Sequence, residues 1–236
     1  MKRYTVREIR RTLAKYDLQT TLVPVAEGRV VEVVEARDAY SLLDQLVARE
    51  ELGHRTERFP YWAEVWPAGV ALARWFHAAG LPRPATPVLE LGCGLGLVGI
   101  SLALLGWETE STDFVEDALI LTAHNARLTR TALRHRVGYL DWAQPVGTPT
   151  LCVAGSDLAY EKRNHPLLAG VLRELLLPGG TFYLSDPQRP AARAFVELLR
   201  ERGYSHEVET VLQPWKSLEH RVDIHRFVRP AEGKTG

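Results

Sequence analysis

The chain has 236 residues, 46% hydrophobic and 25% charged, enough for one sizeable core plus a terminal extension. Its 29 basic and 29 acidic residues cancel, which argues against a broad nucleic-acid-binding or anionic-membrane surface. Two cysteines, Cys93 and Cys152, are too few for a disulfide framework and point to reduced thiols. No metal site is expected.

From the N-terminus, Thr5 and Glu8 form a T-x-x-E capping box that opens a short basic helix to about Lys15. The runs TTLVPV and RVVEVVEA read as two strands joined at Gly28, and a helix follows from Asp38 to about Glu50. Residues 1–58 therefore form an N-terminal extension of helix, strand pair and helix. The Trp-rich segment PYWAEVWPAGVALARWF is a loop that enters a helix after Pro67. No apolar stretch reaches membrane-spanning length and the start carries no signal-peptide pattern, so a cytoplasmic protein is expected.

From Val88 the alternation becomes regular. VLELG, ETESTDF, RVGYLDW, TLCVAGSDL and TFYLSD read as strands; helices follow the first, second, fourth and fifth of them. Gly179-Gly180 reads as a turn into the TFYLSD strand, and Gly203 as the stop of the last helix. HEVETVL and RVDIHRFV close the chain with no helix between them. The fold class is α/β: a Rossmann-like, doubly wound, mostly parallel seven-stranded sheet with an antiparallel C-terminal edge. It occupies residues 59–236.

Ligands of such sheets collect at the carboxyl ends of the strands. Glu90 ends the first, ahead of Gly92, Gly94 and Gly96; Asp113 ends the second; Asp141-Trp142 the third; Ser156-Asp157 the fourth; Asp186-Pro187 the fifth. The glycine alternation suits S-adenosylmethionine, with Glu90 meeting its cationic methionine end. Gly94, Gly96 and Gly99 also satisfy G-x-G-x-x-G, so a nicotinamide dinucleotide stays open at this point. Asp113 suits a ribose or the cap of the next helix, Trp142 an adenine ring or the core, Asp157 a site or a turn, and Tyr160 and Glu161 a pocket or a solvated loop, while His165 reads as a residue near a helix start.

With E-x-G-x-G-x-G at 90–96, Asp113, LDW at 140–142, D-x-x-Y at 157–160 and YWAEVWPAGVALA upstream, the chain resembles the class I seven-β-strand methyltransferases. Within them it is similar to the protein-lysine methyltransferases that include the electron-transfer-flavoprotein lysine methyltransferases. The likeness runs from about Arg58 to Val228. It implies S-adenosylmethionine held by Trp66, Glu90, Gly92, Gly94, Asp113, Phe114, Asp141, Trp142 and Ser156. Asp157 and Tyr160 would face the substrate nitrogen, with Glu161 as an assistant, and the expected partner is a protein substrate. The fourth strand lacks the prolines of [DN]-P-P-[YFW], which disfavours DNA, RNA or glutamine. A small-molecule amine methyltransferase, with Tyr61, Trp62, Trp66 and Tyr160 enclosing a heterocycle, is the first alternative. A non-catalytic cofactor-binding scaffold and a dinucleotide oxidoreductase rank below it.

Overall fold

The structure is a computed structural model that describes residues 3–48 and 60–231. The expected boundary between extension and catalytic domain, near residue 58, and the expected end of the second helix at Glu50 lie outside the described residues.

Helix α1 (Val6–Leu13) carries the complete capping box: the Thr5 hydroxyl accepts from the Glu8 N–H, and the Glu8 carboxylate accepts from the Thr5 N–H at 2.7 Å. Strands β1 (Leu18–Ala26) and β2 (Arg29–Ala36) form a separate antiparallel pair, and α2 (Ala39–Ala48) follows, with Asp38 bonding the Tyr40 N–H. The hairpin packs on the rest of the chain. Val23, Val25, Val31 and Val33 share one buried cluster with Val65, Val70, Leu95, Leu97, Ile100 and Leu121. Polar ties accompany the burial: Lys15 pairs with Asp117 at 2.8 Å, and the Val34 N–H donates to Asn125 Oδ1 at 2.9 Å.

A single 3-10 turn (Tyr61–Ala63) precedes α3 (Pro67–Ala78), where Pro67 takes a first-turn position that needs no N–H partner. The alternation then runs β3 (Val88–Leu91), α4 (Leu97–Leu104), β4 (Thr109–Asp113), α5 (Glu116–Leu128), β5 (His135–Tyr139) and β6 (Thr150–Ser156). It continues with α6 (His165–Leu175), β7 (Leu176–Asp186), α7 (Pro190–Glu201), β8 (Ser205–Trp215) and β9 (Leu218–Val228). The seven strands lie in the order β5-β4-β3-β6-β7-β9-β8. All neighbours are parallel except β7 with β9 and β9 with β8. The closing pair supplies the antiparallel edge; within it β9 inserts beside β7 and leaves β8 outermost.

Two local expectations are corrected. Gly179 and Gly180 fall inside β7, which starts at Leu176, rather than ahead of it; they mark an irregularity there, with Gly179 at φ +75° and the pairing with β6 jumping from Thr150–Leu176 to Cys152–Thr181. Their backbones are claimed by the last strand, since the Gly179 N–H donates to Arg229 O and the Arg229 N–H to Gly180 O. The third strand stops at Tyr139, so Asp141 and Trp142 stand in the turn after it.

The approach of α4 to the sheet explains Gly99. A methyl group there would lie 2.2 Å from Ser111 Oγ and 2.6 Å from Glu90 Oε2. The third glycine of the fingerprint thus serves helix-to-sheet packing.

Candidate active site

The carboxyl ends of β3, β4, β5 and β6 and the segment before α3 enclose a cavity of about 400 Å³. The residues expected to hold the cofactor line it, namely Trp66, Glu90, Gly92, Gly94, Asp113, Phe114, Asp141, Trp142 and Ser156, and so do Asp157 and Tyr160, expected at the substrate nitrogen. Glu161, the expected assistant, does not; its carboxylate is held by Arg163 at 2.7 Å and by the Asn164 amide. His165 is a buried helix-start residue whose Nε2 bonds Ala159 O, and it too lies outside the lining.

The glycine turn is shaped from below and from the side. Gly94 has φ +52°, and a Cβ on it would meet the Trp62 carbonyl oxygen at 3.1 Å, so only glycine keeps this wall open. The Gly94 N–H donates to Asp113 Oδ2 at 2.9 Å, and its carbonyl accepts from the Thr122 hydroxyl of α5. Asp113 Oδ1 accepts from the Val115 N–H at 2.9 Å, so this carboxylate both organises the turn and caps the entry to α5.

Glu90 is 2% exposed. Its Oε2 accepts from the Gly99 N–H at 3.0 Å and from the Ser111 hydroxyl, which also lies 2.8 Å from His135 Nε2. Burial pushes the Glu90 carboxyl up to about 7 and the His135 imidazole down to about 3. The α4 N–H that a bound pyrophosphate would seek is therefore already taken by a carboxylate. Asp157 is paired with Arg189, and the remaining lining carboxylates, Glu64, Glu90, Asp113 and Asp141, favour a cationic ligand over a dinucleotide.

On the far side, Trp62, Val65 and Trp66 form a wall. The Trp66 indole N–H donates to Tyr61 O at 2.7 Å, and the Val65 N–H donates to Oε2 of the buried Glu35 at 2.8 Å. Tyr61 and Tyr160 lie with ring centroids 5.6 Å apart beside Asp157. Asp157 has φ +53°, and its N–H donates to Ser185 O.

Sequence reasoning placed Trp62 in the pocket under the small-molecule alternative, but gave no role to several other lining residues, among them Leu158, Asn164, Leu167 and Arg189. Arg189 matters most, because its Nε and Nη2 bind both oxygens of Asp157 at 2.5 and 2.6 Å. The signal was a cation set between the acidic end of β7 and the proline that starts α7. Asp186 does not line the cavity; its Oδ1 accepts from the Arg189 N–H at 2.8 Å.

Comparison with known proteins matches this geometry. Residues 55–202 fit the family model described as lysine methyltransferase. EEF1A lysine methyltransferase 3 of Mus musculus is 37% identical over 132 residues, which are 54% of this chain and 56% of that protein. The electron transfer flavoprotein beta subunit lysine methyltransferase of Danio rerio is 38% identical over 74 residues, 31% of this chain and 29% of that protein. The chain thus spans about half the length of the first of these relatives and less of the second. Among solved structures, magnesium protoporphyrin IX methyltransferase of Synechocystis with bound S-adenosylhomocysteine superposes with a TM-score of 0.56. It is 17% identical and covers 81% of this chain and 100% of that one, a likeness that shows the class I methyltransferase fold. The chain, with its glycine turn, acid-lined cavity and D-x-x-Y strand end, belongs to the lysine methyltransferase family.

Proposed function

We propose that the protein is an S-adenosylmethionine-dependent N-methyltransferase that acts on lysine side chains of a protein substrate. The observation that carries this reading is the cavity itself: a glycine turn kept open at Gly94 beside Asp113 and Glu90, continuous with Asp157 and two tyrosines. The donor and acceptor set fits the cofactor. Glu90 and the glycine turn suit its methionine end, Asp113 its ribose, Asp141 and Trp142 its adenine, with Trp66, Phe114 and Ser156 completing the walls.

When bound, the cofactor supplies a methyl group whose C–S bonding pair stays with sulfur while the amine lone pair takes the carbon, leaving S-adenosylhomocysteine. The protein's work is to present that amine as a free base in line. Asp157 accepts an amine N–H and fixes its direction, and the Tyr61 and Tyr160 rings flank the methylene chain. Holding reactants in such geometry is worth about 7–11 kcal/mol in model systems. A lysine amine has an ordinary pKa of about 10.4, so its proton must leave to water before transfer. We place the activity in the cytoplasm, a reading supported by the free, buried Cys93 and Cys152.

The test is incubation of the protein with tritiated S-adenosylmethionine and cell lysate, then acid hydrolysis of the labelled protein. Tritiated methyllysine from a discrete band is the expected result. Label confined to small molecules would replace this reading with the small-molecule amine alternative, and lack of cofactor binding would overturn both.

A further inference from the structure

Arg189 and Asp157 are locked together by the fold rather than by chance surface pairing. The two-pronged contact of 2.5 and 2.6 Å joins an aspartate side chain only 10% exposed to an arginine 38% exposed, so the guanidinium lies on the solvent side of the carboxylate. Both backbones are anchored: the Asp157 N–H on Ser185 O, the Arg189 N–H on Asp186 Oδ1, with Pro190 fixing the helix start immediately after. The guanidinium carbon also stands 5.9 Å from the centre of the Tyr160 ring. Asp186, behind it, is buried with Oδ2 lacking a partner among the described residues.

An isolated carboxylate at the end of a lysine channel works against methyl transfer. It would attract the ammonium and raise its pKa, whereas only the free amine has a lone pair to give. A carboxylate already bound by a guanidinium keeps further lone pairs for an N–H, one on each oxygen, while its net charge is cancelled. We propose that Arg189 is the positioning residue that lets Asp157 orient a substrate lysine as the neutral amine without trapping it as an ammonium. The proposal rests on the lysine-methylation reading above, and it assigns Arg189 a role exerted through Asp157.

The probes are n-butylammonium, which mimics a lysine side chain, and 1-butanol, its uncharged counterpart. Each is titrated at pH 7 into the S-adenosylhomocysteine-loaded protein and followed by NMR shifts. Arg189→Gln should bind n-butylammonium at least tenfold more tightly than the wild type, with 1-butanol unchanged. Arg189→Lys should behave as the wild type, and Asp157→Asn added to Arg189→Gln should abolish the gain. In turnover, Arg189→Gln should lower both kcat and KM for the lysine substrate at pH 7. A purely structural pair would shift both probes alike or leave n-butylammonium unchanged, and either result overturns the proposal. Absence of methyllysine with the ammonium gain intact would instead overturn the lysine reading and leave the charge-cancelling role standing for another amine.

Discussion

Glu35 Oε2 accepts a hydrogen bond from the Val65 N–H at 2.8 Å, and this contact joins the N-terminal hairpin to the wall of the cavity. The same side chain accepts from Thr21 Oγ1 at 2.5 Å, so β1, β2 and the segment before α3 meet on one buried carboxylate. Glu35→Leu leaves the Val65 N–H buried without its acceptor, at a cost of about 1–3 kcal/mol. We expect a lower Tm together with severalfold weaker S-adenosylmethionine binding by calorimetry, since Trp62 and Trp66 flank Val65. A lower Tm with unaltered affinity would show that the wall holds its shape without the hairpin.

Glu90 should make cofactor binding proton-linked. Its carboxyl, ordinarily near 4.5, is pushed up to about 7 by burial, so the folded protein binds a proton that the unfolded chain has already lost. The stability this contributes is present below about 4.5 and fades as pH rises through about 7. A cationic ligand favours the ionised form, so affinity should climb between roughly pH 6 and 8, with proton release measurable in buffers of different ionisation enthalpy. Glu90→Gln should flatten that dependence and weaken binding by about 1.5–3 kcal/mol. Above pH 7 the same variant, without ligand, should melt higher than the wild type.

Asp113 and Asp157 should separate binding from turnover. Asp113→Ala removes the acceptor of the Gly94 and Val115 N–H groups and the expected ribose contact, so the cofactor Kd should rise at least tenfold. Asp157→Ala should leave that Kd within about twofold and reduce kcat about a hundredfold or more, the scale of losing substrate orientation. Full turnover in Asp157→Ala would remove the residue from the reaction.

Gly99→Ala tests how closely α4 must sit on the sheet. The added methyl would collide with Ser111 Oγ and Glu90 Oε2, and overpacking of this kind costs about 1–3 kcal/mol. Chemical denaturation should report that loss, and cofactor affinity should fall because the displaced atoms belong to Glu90. Adding Ser111→Ala, which deletes the nearer obstacle, should restore part of the stability.

The order of elements from Val88 onward was legible because short apolar runs, of which β3 and α4 are buried nearly throughout, alternate with local stop signals. The capping box at Thr5 was equally local. Pairings distant in sequence left no such mark. Nothing near Lys15 announces Asp117, and nothing near Val34 announces Asn125, so the docking of the hairpin was invisible. Gly179-Gly180 was legible only in part: the left-handed backbone at Gly179 is local, but the bonds that tie the pair to Arg229 come from about 50 residues away. At the site, the acidic strand ends could be read one by one. Arg189 belonged to none of these motifs, and its meaning depends on Asp157 lying across from it.

The insertion of β9 between β7 and β8 also sets an order on synthesis. As the chain emerges, β7 can pair with β6 at once, but its other edge stays open while α7 and β8 are made. Among the described residues β8 has no sheet to join until residues through Val228 arrive, because its ladder there is with β9 alone. During that interval the nascent chain carries an open strand edge on β7 and an orphan strand whose Val208 and Leu212 remain exposed even in the finished fold. Closure of the sheet therefore waits for β9, and slowing elongation after Trp215 should lengthen the time the β7 edge stays open to aggregation.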